Sequence, residues 1–87
     1  MHLKYTFETM SIDDLIFAVP VGNDNGEIHV VRLNSTGEVI FNLLKEETTE
    51  EKIIEYLLEQ YDVPKSKATD DVQRCIGVLR RKGLVVE

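Results

Sequence analysis

Residues 30 to 44 read "VVRLNSTGEVIFNLL", and within them a strand passes straight into a helix with no linker. The apolar residues Val30, Val31 and Leu33 close a segment that reads as a strand over 27–33, "EIHVVRL". The helix signal follows at once. Ser35 and Glu38 have the S-x-x-E spacing of a capping box, with Asn34 as an alternative N-cap. Ile40, Leu43 and Leu44 then recur on one helical face, flanked by Val39 and Phe41. A short chain therefore sets a strand directly against helices.

Towards the N-terminus the pattern is that of strands. "HLKYTFE" (2–8) alternates strictly, with Leu3, Tyr5 and Phe7 on one face, which is the period of a half-buried strand. "LIFAVPV" (15–21) is more continuously apolar, as in a strand covered on both faces, and Pro20 restricts its own position to a strand end or edge. "GNDNG" (22–26) is a dense turn signal that joins this strand to 27–33 as a hairpin. Towards the C-terminus the period is helical. Thr48 and Glu51 repeat the capping-box spacing before a stripe of Ile53, Ile54, Leu57, Leu58 and Tyr61. Asp62-Val63-Pro64 breaks that helix. A third runs from near Ser66 to Lys82, with Gly83 at C′, and Leu84 to Val86 form a candidate short final strand. The order predicts one α+β domain over residues 1–87, winged-helix-like, with three N-terminal antiparallel strands followed by three helices.

Composition narrows the function. At 87 residues there is room for one small core. The formal net charge of -6 gives a long-range field that disfavours nucleic acid. A single cysteine, Cys75, excludes an internal disulfide and fits a reducing compartment. No run approaches the roughly 18 apolar residues of a membrane span, and the alternating N-terminus is not a signal peptide. The expectation is a cytoplasmic protein without membrane contact.

Catalytic and metal chemistry find little support. His2, His29 and Cys75 lack ligand spacing, so no metal and no cofactor are expected. Cys75 lies among Val72, Ile76 and Leu79, and Asp71 four residues back disfavours a thiolate, so it reads as a small buried apolar side chain. The acidic run "KEETTEEK" is explained by the helix dipole. "GNDNG" lacks the lysine and helix of a phosphate loop. The chain is not expected to be an enzyme. A small winged-helix DNA-binding protein is the alternative. Against it, Asp70 and Asp71 occupy the half of helix three that a recognition helix presents to bases, and Arg80, Arg81 and Lys82 sit where the helix dipole alone accounts for them.

Helix three is apolar over an unusually broad arc. With Ala68 at zero and 100° per residue, Cys75, Leu79 and Val72 lie within about 40°, and Ile76 and Val78 about 80° to either side. The arc fits either a helix wedged between two neighbours or one whose flank lines a groove. In the second case one of Val78 and Ile76 faces the groove, with Leu79 and Val72 as its floor. Strand 27–33 supplies the other wall, because nothing obvious in the chain covers its free side. An edge strand beside an apolar helix flank is the geometry for capturing an extended peptide by strand addition. The candidate peptide-binding residues are Glu27, Ile28, His29, Val30, Val31 and Arg32 on the strand, and Val72, Cys75, Ile76, Val78 and Leu79 on the helix.

"VVRLNSTGEVIFNLL", "TTEEKIIEYLLEQYDV" and "DDVQRCIGVLRRKGLV" together resemble the pyrroloquinoline-quinone biosynthesis protein D (PqqD-like) family. Its members are also called precursor-peptide recognition elements of ribosomally made, modified peptides. The resemblance spans nearly the whole chain and is most specific over 33–87. It is carried by Leu33-Asn34-x-Thr36-Gly37, the helix-two stripe, Tyr61, Asp71-Val72 and the ending Arg81-Lys82-Gly83-Leu84-Val85. It departs at the turn between helices one and two, where Glu46-Glu47 stands in place of the family's frequent Asp-Gly. The resemblance implies a non-catalytic winged helix whose third strand and third helix bind the leader part of a precursor peptide. The partner enzyme would be a radical S-adenosylmethionine enzyme, a cyclase or a leader protease. Some members are fused to their enzyme, whereas this chain is expected to be a free-standing module. A structural subunit docking on one protein through the same groove is the third reading.

Overall fold

The computed structural model describes residues 1–22 and 30–87. Its elements are β1 (His2–Leu3), β2 (Phe7–Ile12), β3 (Leu15–Pro20), β4 (Val31–Leu33), α1 (Ser35–Leu43), α2 (Glu50–Gln60), α3 (Lys65–Arg81) and β5 (Val85–Val86). Strands β2, β3 and β4 form an antiparallel sheet in that order, ahead of the three helices, as the sequence pattern predicts. Pro20 ends the central strand, a position where its missing N–H breaks no run of pairing.

The alternating segment 2–8 is not one strand. It divides between two sheets: His2 and Leu3 pair with Val86 and Val85, while Phe7 begins the longer β2. The break is held by the backbone bonds Leu3 N to Leu44 O (2.8 Å) and Lys4 N to Leu84 O (2.7 Å). Side-chain period shows which face a residue takes, and it carries no information on which partner the backbone pairs with. β2 also runs on to Ile12, because pairing with β3 continues beyond the core through a two-residue loop, Asp13-Asp14. Asp13 has φ 56, the left-handed conformation that such tight hairpin loops require. Apolar periodicity missed this extension, since Met10 and Ile12 fall on the face opposite to Phe7. The turn signal at 23–26 and residues 27–29 of the expected third strand lie outside the described residues.

Helix ends follow local chemistry. Of the two candidates, Asn34 is the N-cap of α1, its Oδ1 accepting from Gly37 N at 2.7 Å. Gly37 suits that closure, because a Cβ there would lie 3.1 Å from the Asn34 oxygen. For α2 the cap is Thr49 and not Thr48: its hydroxyl accepts from Lys52 N at 3.2 Å. Thr48 instead donates its amide to Met1 O at 2.9 Å and so belongs to the N-terminal junction. α3 starts after Pro64 and ends at Lys82, with Gly83 at φ 69.

The core gathers Phe7, Ala18, Val31 and Leu33 from the sheet, Ile40, Phe41 and Leu44 from α1, Ile53 and Leu57 from α2, and Ala68, Val72, Ile76 and Leu79 from α3. Phe7 meets Phe41 edge to face at 5.0 Å between ring centres. Of the helix-two stripe, Ile53 and Leu57 are buried and Ile54 and Leu58 half-buried, while Tyr61 is exposed at the helix end. The Glu46-Glu47 turn has a local use. The Glu47 carboxylate accepts from the Met1 amine at 2.7 Å and lies 2.6 Å from His2 Nδ1, and these bonds hold it below the usual carboxylate range.

Candidate functional site

β4 stands last in the sheet order, with no strand on its other side among the described residues; Val31 and Leu33 are buried, Arg32 points out, and Asn34 caps the next helix. The hydrogen-bond phase of the sheet can be followed from one bond. Val21 N donates to Thr6 O at 2.8 Å, which continues the register of Ile12 with Leu15 and Met10 with Phe17. Residues 15, 17 and 19 of β3 therefore turn their amides to β2, and Ile16 and Ala18 turn theirs to β4. Ile16 and Ala18 stand opposite Leu33 and Val31, whereas Arg32 stands opposite Phe17. Arg32 thus directs its backbone N–H and C=O away from β3, towards the edge that no described strand pairs with.

That edge borders a cavity of about 270 Å³ between β4, the start of α1 and one flank of α3. Leu33, Ile40 and Leu79, all buried, form its floor. Cys75 and Val78 form the apolar wall contributed by α3. Lys67, Asp71 and Arg74 stand above them along the helix, with Arg32 on the strand side. Lys67 bonds Asp71 at 3.1 Å and Arg74 bonds Asp70 at 2.6 Å, each one helical turn apart. The rim therefore offers both charges, while the interior is aliphatic. Such a cleft accepts apolar side chains carried on an extended backbone, and the strand edge supplies matching hydrogen-bond groups.

The candidate residues distribute unequally around the cavity. Val31, Arg32, Cys75, Val78 and Leu79 line it. Of the two flanking positions on α3, Val78 faces the cavity, and Ile76 is wholly buried in the core with Val72. Both readings of the broad arc thus hold at once, one flank of α3 packing inward and the other bordering the groove. Val72 is wholly buried and does not line the cavity, so the floor is formed by Leu79 with Leu33 and Ile40 and not by Val72. Val30 is 45% exposed and precedes β4. Glu27, Ile28 and His29 lie outside the described residues. Cys75 is partly and not fully buried, and removal from water pushes its thiol up to about 11, so it is protonated at neutral pH. Eight lining residues lie outside the sequence-derived set: Leu33 on β4, Lys67, Asp71 and Arg74 on α3, whose charges read as surface, and Asn34, Thr36, Gly37 and Ile40 at the junction. The strand-to-helix junction was the only signal for the last four: with no linker, the first turn of α1 must stand beside the strand edge.

Among the described residues no three His, Cys, Asp or Glu side chains gather where they could hold a metal ion, and no helix is long and apolar enough to cross a membrane.

A three-stranded sheet, three helices and an apolar cleft between the last strand and the third helix define a winged-helix-like fold. Two solved structures share it. One is TbiB1 in complex with the TbiA(beta) leader peptide, with a TM-score of 0.70, 23% identity, and coverage of 97% of this chain and 93% of that one. The other is lasso peptide synthetase B1 complexed with the leader peptide, with a TM-score of 0.69, 19% identity, and coverage of 99% and 96%. No curated protein matches the chain. The family model for coenzyme PQQ synthesis protein D (PqqD) matches residues 21–85, and the chain belongs to that family.

Proposed function

We propose that this protein is a non-catalytic peptide-recognition module acting in the cytoplasm as one domain over residues 1–87. It captures the leader segment of a ribosomally made precursor peptide by strand addition and presents it to a modifying enzyme or leader protease. The observation that carries this reading is the outward amide edge of β4 beside the aliphatic cleft formed with α3. Family membership and the likeness to two proteins solved with leader peptides support it. The peptide backbone pairs with Arg32 at the edge, and alternate side chains descend against Val78, Cys75 and Leu79. The protonated Cys75 thiol then serves as an apolar contact and not as a nucleophile. A DNA-reading role is disfavoured by the net charge of -6 and by the ion pairs that Asp70 and Asp71 make with the basic residues of α3.

The test is amide chemical-shift mapping with a synthetic leader of the cognate precursor peptide, repeated across a salt series. Shifts along β4, the first turn of α1 and the Lys67–Leu79 flank of α3, with affinity little changed by salt, are expected. Shifts confined to α2 and β2 overturn the assignment.

A further inference from the structure

The sheet carries a second apolar face that the core does not use. Side chains directly opposite one another in an antiparallel sheet share a face. Thr9, Ala18 and Val31 stand in one row, and Ala18 and Val31 are buried. The next row, Met10, Phe17 and Arg32, therefore points to the other side, together with the pairs Ile12–Leu15 and Glu8–Val19. Met10 is 51% and Ile12 56% exposed, Leu15 is also exposed, and Phe17 and Val19 are only half-covered. Single exposed apolar side chains are ordinary, but a contiguous strip of five on one rigid hairpin is not. None of the five lines the cleft at β4.

Charge narrows the occupant. Glu8 brackets the strip at its base, Asp13 and Asp14 bracket it at the hairpin tip, and all three are exposed, while Arg32 stands at its side on the neighbouring strand, towards the cleft. A second copy laid on this face, tip to tip or tip to base, would set carboxylate against carboxylate between chains that each carry -6. A surface with an apolar centre and a lysine- or arginine-rich rim is attracted instead.

We propose that the outer face of the β2–β3 hairpin is the docking surface for the enzyme that acts on the peptide, engaging a basic-rimmed apolar patch on it; this rests on the function proposed above. Peptide and enzyme then occupy different surfaces, the cleft at the outer edge of β4 and the outer face of the hairpin, so one molecule of this protein holds both.

The experiment uses the full chain, the synthetic leader and the purified modifying enzyme or protease that acts on that precursor. Met10→Ser/Ile12→Ser alters two exposed side chains, and a thermal melt matching wild type verifies its fold. Enzyme association is expected to weaken about tenfold or more, as for loss of central apolar contacts. Leader affinity is expected to stay within about twofold of wild type. Glu8→Lys/Asp14→Lys, which leaves the left-handed Asp13 in place, is expected to weaken enzyme association at low salt and much less at high salt. An enzyme that binds the double serine variant as tightly as wild type, or that does not bind wild type at all, overturns the docking surface. So does a concentration-dependent dimer abolished by the same substitutions, which would make a second copy the occupant. Absence of leader binding by wild type, with enzyme association intact and weakened by the serine pair, overturns the proposed function and leaves the hairpin face as a surface for that enzyme alone.

Discussion

Proline placed at two adjacent residues of β4 separates folding from peptide capture. Val31 stands opposite Ala18 and gives its N–H to β3, whereas Arg32 gives its N–H to the outer edge. Val31→Pro leaves a buried acceptor on β3 without its donor, at a cost of about 1–3 kcal/mol of stability. Arg32→Pro removes no bond within the sheet, and proline is tolerated on an edge strand facing outward, so its folding cost stays below about 1 kcal/mol. In the complex the order reverses. A peptide carbonyl left facing the proline ring loses its donor, again worth about 1–3 kcal/mol, which is roughly 5- to 150-fold in affinity. Arg32→Ala corrects for the lost guanidinium. Urea melts followed by circular dichroism measure the first quantity, and fluorescence anisotropy of a labelled leader measures the second. Equal leader affinity for Arg32→Pro and Arg32→Ala, with both folded, refutes strand addition at this edge.

Three further outcomes follow from the packing and the cleft. Leu57 is 3% exposed at the centre of the α2 interface, so Leu57→Ala is expected to cost roughly 2–5 kcal/mol in a denaturant melt. A loss below about 0.5 kcal/mol would place it at the surface and refute the packing of α2. Because burial pushes the Cys75 thiol up to about 11, alkylation by iodoacetamide is expected to be slow at neutral pH and to rise with pH until that value, and bound leader is expected to slow it further. The raised value also means that the unfolded chain gives up this proton first. The contribution of Cys75 to stability is therefore fully present at neutral pH and is lost as pH climbs from the thiol's ordinary value through about 11. A Cys75→Ala variant with the same alkaline limb as wild type would contradict this linkage.

The sequence by itself determined the elements and much of the wall. Apolar periodicity placed α1, α2 and α3 to within a residue or two, because a helix buries one stripe and the chain must show it. The 34–37 junction, Gly83 and Pro20 were legible for the same local reason: caps, left-handed turns and missing donors act over a few residues. What only the tertiary structure decided is where those elements find partners. The Leu3–Phe7 alternation is blind to whether one sheet or two receives it, since backbone groups pair identically with any strand that is near. Val78 and Ile76 are equivalent on a helical wheel at about 80° from its centre. Placement of β4 and α1 beside one flank and of the core beside the other turned Val78 to the cleft and Ile76 inward. Met10 and Ile12 are apolar in the sequence as any core residue is, and only the register of β2 with β3, set against a buried Ala18, puts them on the outside.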